Sequence, residues 1–282
     1  YAVVINALQI ALILVMLVAI IVVPDLLHKE MVINFLRAGK DVLCEKPMAL
    51  SVQECVDMIE VEKETGRKLM IGQVCHYAPA FRKAKELVDA GAIGELYFVE
   101  SEYAHCYENV RGRDDWRVTK ERDGFIGGAC HAVDLLRWYA GDPVEVFAYG
   151  SHKLLPQVSY DDATISVLKF PDGVVGKVFV STGCKRPYTM RTLLYGTKGT
   201  IICDNTSPTI TYFGVNEDQT HKKAEEISVG NVNNHNVKEE IKVFVDAILN
   251  NKPIQMSATE GAKSAQACIS IVESSTTGKI VH

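Results

Sequence analysis

The feature that most constrains this chain is an unbroken apolar run at residues 10–23, "IALILVMLVAIIVV", in which eight of the fourteen residues are Ile or Val. Branched side chains suit strands. Strands of a parallel sheet, buried on both faces, read as continuous apolar runs rather than alternating ones. Fourteen residues also fall short of the roughly 20 that a helix needs to cross a bilayer. No Lys or Arg precedes the run, so the charged start of a secretory signal is missing. We therefore expect buried strand material and no membrane span.

The residues that follow supply the crossover helices such strands require. Asp25 stands at a helix start, Leu27, Met31 and Phe35 repeat every four residues, and Gly39 stands where a left-handed cap is wanted. The strand "DVLCE" comes next. A second helix opens at Ser51, with Glu54 at the capping-box spacing, and runs through Val52, Val56 and Ile59 to Gly66. After the strand "KLMIGQV", a third helix begins at Pro79 and stops at Gly91, and "ELYFVESEYAH" reads as strand. This alternation predicts a parallel sheet with crossover helices.

Beyond about residue 140 the pattern changes to strands joined by tight turns: "VEVFAYGSHKL", "ATISVLKF", "VVGKVFVST", "TMRTLLYGT" and "GTIICDN", with a Pro-Asp-Gly turn in "FPDGV". In the third of these, Val174, Val178 and Val180 fall on one face, Lys177 and Ser181 on the other. A largely antiparallel, open sheet with one wetter side is expected. Two helices, 235–249 and 259–274, close the chain. The fold class is α/β, with a parallel-sheet domain over residues 1–74 and a second α/β domain over 75–282.

With 30 basic and 35 acidic residues, a net charge of -5 and no basic block, nothing points to nucleic acid. A small-molecule partner fits better. The cysteines at 44, 55, 75, 106, 130, 184, 203 and 268 form no C-x-x-C pair. They read as reduced core residues of a cytoplasmic protein, with no metal site.

Two clusters could carry chemistry. Glu45, Lys46 and Pro47 end a strand, and ligands of open α/β sheets bind at the carboxyl ends of strands. Proline fixes the backbone there and can adopt a cis bond. A partly buried lysine can donate a proton or polarise a hydroxyl. The alternative is an ordinary surface Lys-Glu pair. In "GGACHAVDLLRWYAGDP", residues 127–143, His131 stands at a helix start, where the dipole favours a neutral ring usable as a base. Asp134, three residues on, could orient that ring. Here the alternative is a capping histidine with a surface aspartate.

Together, "AGKDVLCEKPMAL", "GQVCHYAPAFRKAKELVDAGAIGE", "DWR" at 115–117 and "GGACHAVDLLRW" resemble, in order and spacing, the Gfo/Idh/MocA oxidoreductases of the glucose-fructose oxidoreductase and inositol dehydrogenase type. The resemblance runs from about residue 24 to the end of the chain. It implies a Rossmann domain binding NAD or NADP, and a second domain whose open sheet supports a homodimer or homotetramer. Hydride would pass between nicotinamide and a carbon of a sugar, inositol or related polyol. Carried over, Lys46 and His131 are catalytic, with Asp134, His76 and Tyr77 in support. Pro24, His28, Glu45, Lys46, Pro47, Gln73, Trp116 and Arg117 would line the cofactor.

Three departures stand out. Gly127 occupies the place of an aspartate common in the family, so the proton relay would lack one member or borrow Asp134. His76 stands where relatives carry arginine. No G-x-G-x-x-G occurs, and the residues before Pro24 are too few for βαβ units of about 30 residues each. The expectation is an amino-terminal domain incompletely represented here. Two other functions fit the same residues: an NAD-dependent glycoside hydrolase, and a non-catalytic NAD(P)-binding protein.

Overall fold

The computed structural model describes residues 17–107, 123–230 and 235–282. The chain divides into two compact units, one reaching Gly72 and including Glu240–Ala265, the other comprising Gln73–Glu239 and Gln266–His282.

In the first unit, β1 (Val18–Ile21), β2 (Asp41–Glu45) and β3 (Leu69–Gly72) form a parallel sheet in that order. The crossovers are α1 (His28–Arg37) and α2 (Val52–Thr65). Val32 and Leu36 of α1, with Cys55, Met58 and Val61 of α2, pack on Val42, Cys44, Leu69 and Ile71, the alternate residues of one sheet face. Ser51 and Glu54 form the expected capping box, and Gly66 closes α2 with φ 61°. Asp25 is not the residue that precedes a helix: it lies within a 3-10 turn, Asp25–Leu27, with Pro24 before it. The backbone closes that turn, the Leu27 N–H donating to the Pro24 carbonyl at 2.9 Å, so the α-helix starts only at His28.

Burial of the apolar run is one-sided where it is described. Ile21 is buried, yet Ile20 is 49% and Val22 70% exposed, because β1 is an edge strand among the described residues. Residues 10–16 lie outside them.

The second unit holds α3 (Pro79–Asp89), β4 (Leu96–Ala104), α4 (Cys130–Ala140), β5 (Glu145–Ser151), β6 (Ala163–Lys169), β7 (Val175–Ser181), β8 (Thr189–Gly196), β9 (Gly199–Asp204), β10 (Thr209–Gly214) and β11 (Glu225–Ser228). Its sheet runs β11-β10-β9-β8-β4-β7-β6-β5. Only the β4–β7 pair is parallel. β4 therefore belongs to this sheet and not to the parallel one. Its pattern explains why: Val99, Ser101 and Tyr103 are buried on one face, and on the other the half-buried Glu100 and the buried Glu102 form ion pairs with Lys177, Arg186 and Arg191. Such alternation suits a sheet covered on one face. Asp172 and Gly173, at φ 61° and 81°, make the turn between β6 and β7 as expected. Ser181 is buried with the valines, against the sequence reading.

The chain closes with α5 (Val237–Leu249) and α6 (Ala258–Thr277). Residues 240–265 return to the first unit, where the Ile71 N–H donates to the Met256 carbonyl at 2.9 Å. Gly261 is needed there, since a Cβ would fall 2.4 Å from Ile71 Cγ1. Among the described residues no helix is long and apolar enough to cross a membrane.

Candidate active site

The first unit gathers Pro24, His28, Glu45, Lys46 and Pro47 at the carboxyl ends of its strands. The Lys46–Pro47 peptide is cis. His28, wholly buried, places Nδ1 2.8 Å from the Pro47 carbonyl and Nε2 3.1 Å from the Val23 carbonyl. A neutral ring can donate to one of these oxygens, an imidazolium to both. His28 thus ties the chain after β1 to the chain after β2, with no ring nitrogen left over. Glu45 Oε2 accepts from the Lys46 N–H at 3.2 Å. Its carboxyl carbon lies 3.6 Å from where a Cβ on Gly72 would stand, so the bare glycine leaves space beside it. Lys46 is half-buried. Gln73, directly after β3, is buried with Oε1 unpartnered among the described residues.

Glu240, on the first turn of α5, is buried in the same unit. Burial, and then the neighbouring Glu45 carboxylate, push its carboxyl up to about 7.

Glu45 and Lys46 stand at the carboxyl ends of these strands, where ligands of parallel sheets bind. The glycine-rich pyrophosphate cradle does not occur between β1 and α1, where the turn is Val-Val-Pro.

The second unit builds its site on α4. A π-helical turn, Phe125–Ala129, leads into Cys130 and His131, a distortion often found at functional positions. Gly128 in that turn has no room for a Cβ, which would lie 2.6 Å from the Tyr107 hydroxyl and 2.9 Å from the Tyr103 ring. The Tyr103 hydroxyl is 3.1 Å from both the Tyr107 hydroxyl and His105 Nδ1. His105 packs at 4.8 Å on Tyr188, Tyr188 lies parallel to His235 at 6.0 Å, and His235 stands 6.2 Å from His131 between ring centroids. Burial pushes the Tyr103 and Tyr188 phenols well up, with neighbouring phenols and thiols adding to it. They remain neutral hydrogen-bond donors.

Further along α4, His76 Nε2 meets Asp134 Oδ2 at 2.7 Å, and its ring stacks on Trp138 at 4.0 Å. Arg137 Nη1 lies 3.8 Å from Asp134 Oδ1. His76 Nδ1 is buried and unpartnered among the described residues. The carboxylate expected to orient His131 thus meets His76, because the 3-10 turn Val74–Tyr77 lies against this stretch of α4. Asn236 Nδ2 donates to the Tyr77 carbonyl at 3.1 Å. Trp116 and Arg117 lie outside the described residues.

Sequence reasoning missed Tyr103, His105, Tyr107, Tyr188 and His235. The first three had a readable signal, since Y-x-H-x-Y at the end of a strand puts three polar rings on one face. His235 had none, its position depending on distant packing. What results is a basin of imidazoles and phenols, Tyr103, Tyr107 and His131 buried and His105, Tyr188 and His235 half-buried, able to bind hydroxyl groups and exchange protons with them.

Two family models match the chain: the oxidoreductase family, NAD-binding Rossmann fold, over residues 14–73, and the GFO/IDH/MocA C-terminal domain over residues 81–202. The chain belongs to the Gfo/Idh/MocA oxidoreductase family. Among curated relatives of this family, 2,7-anhydro-N-acetylneuraminate hydratase of Escherichia coli (strain K12) is 31% identical over 190 residues, 66% of this chain and 50% of the relative. Inositol 2-dehydrogenase/D-chiro-inositol 3-dehydrogenase of Lactiplantibacillus plantarum is 27% identical over 180 residues, 62% of this chain and 49% of the relative. The chain thus spans about half the length of these curated relatives. Levoglucosan dehydrogenase in complex with NADH superposes with a TM-score of 0.86 at 23% identity, over 94% of this chain and 79% of that one. That likeness shows the fold.

Proposed function

We propose that this chain carries an NAD(P)-dependent oxidoreductase activity that moves hydride between nicotinamide and a hydroxyl-bearing carbon of a sugar, inositol or related polyol. The observation that carries this reading is the basin of His131, His235, His105 and the neutral tyrosines, set on a family fold that includes inositol dehydrogenases. A bound nicotinamide would supply the hydride acceptor. Nucleotide binding is assigned to residues up to 74, through Pro24, Glu45, Lys46, Pro47 and Gln73, with Trp116 and Arg117 from the second part; His28 braces that edge. Substrate binding is assigned to residues 75–282. His131 takes the proton of the reacting hydroxyl, the phenols hold neighbouring hydroxyls, and the His76–Asp134 pair with Tyr77 stiffens the start of α4. Lys46 is assigned a polarising role on the reacting oxygen. Tyr149, Ile165 and Val167, exposed on the eight-stranded sheet, support self-association as a homodimer or homotetramer.

The test is to follow nicotinamide fluorescence on titrating the chain with NADH and NADPH, then reduction of the oxidised forms over a panel of sugars and inositols. His131→Ala is expected to keep nucleotide binding and to lower turnover by about 100-fold or more. Full turnover in this variant, or in Lys46→Ala, removes that residue's role; no binding of either nucleotide removes the reading.

One observation favours a second, redox-neutral reading. His235 beside His131 supplies two imidazoles where simple dehydrogenation needs one base, and one relative is a hydratase. Release of free sugar from a nitrophenyl glycoside with no net NADH would favour this NAD-dependent hydrolase over a dehydrogenase.

A further inference from the structure

We propose that the second unit carries a separate binding site for one neutral, hydroxylated ring of pyranose or inositol size, in the cavity between the loop 152–162 and the last turns of α6. The site stands independently of the nucleotide reading above.

The cavity has a volume of about 280 Å³. Small-molecule sites start at roughly 300 Å³, so the space suits a single ring. All of its lining residues belong to the second unit. Two bare glycines make room for its walls. Asp161 packs against Gly150 of β5, where a Cβ would coincide with Asp161 Oδ2. That oxygen accepts a hydrogen bond from Ser275 Oγ on α6 at 2.9 Å. Tyr160 lies over Gly124 in the same way, since a Cβ there would overlap its ring. Asp162, 1% exposed, accepts the Leu154 and Leu155 N–H groups at 2.6 and 2.7 Å, which fixes the loop that carries these residues.

Thr164 supplies the observation that points to a ligand. It is 4% exposed and lines the cavity, and its hydroxyl has no hydrogen-bond partner among the described residues. A buried hydroxyl in that state is costly until something in the cavity completes it.

The lining decides what enters. Among the described residues it holds two carboxylates, Asp123 and Asp161, and no Lys or Arg, so phosphate and carboxylate groups are repelled. The hydroxyls of Ser159, Tyr160 and Thr164 can both donate and accept. Sugar hydroxyls do the same, whereas an ammonium only donates and leaves the hydroxyl donors unmatched. Phe125 and Val272 add an apolar wall for the C–H edge of a ring. His152, Ser159 and Thr276 are exposed at the rim, which opens the site to solvent. His131 does not line it, so its occupant is distinct from a substrate at the imidazole–phenol basin.

The test follows binding of myo-inositol, glucose, glucosamine and glucose 6-phosphate by ligand-observed NMR, in the whole chain without nucleotide. It is repeated in Thr164→Val, Ser159→Trp and His131→Ala, each checked for folding by thermal unfolding. Thr164→Val removes one hydroxyl at nearly constant volume, and Ser159→Trp fills the mouth from an exposed position. Glucose or myo-inositol is expected to bind. Thr164→Val should weaken it by about fivefold or more, Ser159→Trp should abolish it, and His131→Ala should leave it unchanged. Glucose 6-phosphate should bind about tenfold more weakly than glucose. No binding of either neutral ring overturns the proposal, as does binding that survives Ser159→Trp and is lost in His131→Ala. A preference of about tenfold for glucosamine over glucose also overturns it, by making the cavity a cation site. If Thr164→Val does not fold, Ser159→Trp decides alone. Failure to bind NADH or NADPH leaves every one of these outcomes in place, so the two readings fail separately.

Discussion

Each unit buries a carboxyl, and the two differ in their company. Asp134 in the second unit is 1% exposed and meets His76 at 2.7 Å and Arg137 at 3.8 Å. Glu240 in the first is buried as deeply, but pairs with no cation among the described residues, and burial, then the Glu45 charge, push its carboxyl up. Burial alone does not set the state of a carboxyl; the charges brought with it do. One unit therefore contains a structural pair that holds a helix to a turn, and the other a group poised to change charge near neutral pH.

The largest expected effect comes from breaking the matched pair. Asp134→Ala leaves His76 Nε2 without its carboxylate, while Arg137 keeps Asp142, to which its Nε donates at 2.9 Å, and we expect a loss of about 3 kcal/mol in denaturant unfolding. The double variant Asp134→Leu with His76→Leu removes both sides and fills the space. It should lose no more than about half as much, because the cost lies in stranding a partner. A double variant as damaged as the single one would show that the pair does more than hold the turn Val74–Tyr77 to α4.

Much of this frame is visible in the sequence because it is local. The capping box at Ser51 and Glu54 and the strand ending at Glu45 before Lys46 and Pro47 depend on residues within a few positions of one another; the helix expected to open at His131 is already running there, since the π-helical turn Phe125–Ala129 leads straight into it. The rest depends on contacts far along the chain. His76 and Asp134 are 58 residues apart, and Glu240 comes to Glu45 from the other end of the sequence. β10 and β11 were missed for a different reason: the alternation Thr209-Ile210-Thr211-Tyr212 in β10 spans only four residues and β11 is Glu-Glu-Ile-Ser, too short and polar a signal to read.

A smaller effect sharpens the same contrast through pH. The Glu240 carboxyl is raised from an ordinary 4.5 to about 7, so between those values the folded chain holds a proton that the unfolded chain has released. Stability should fall as pH rises through this window, by up to about 3 kcal/mol, and level off on either side. In Glu240→Gln that contribution to the slope should vanish when urea midpoints are compared across pH 4.5 to 7.5. An unchanged slope would mean that Glu240 is ionised throughout, with a cation beside it.

The smallest effect contrasts two glycines. A Cβ on Gly128 would stand 2.6 Å from the Tyr107 hydroxyl and 2.9 Å from the Tyr103 ring, whereas one on Gly72 would find nothing nearer than 3.4 Å. The first distance forces the phenols to move; the second is close to ordinary contact. Gly128→Ala should therefore cost about 2 kcal/mol and raise KM for a hydroxylated substrate, since the ring pair that would hold it is displaced. Gly72→Ala should change stability by about 0.5 kcal/mol or less. Its effect should instead be on nucleotide affinity, as a methyl group would take up the space beside Glu45. If Gly128→Ala left KM unchanged while lowering stability, Tyr103 and Tyr107 would be core residues and the binding surface would reduce to His131, His235 and Tyr188.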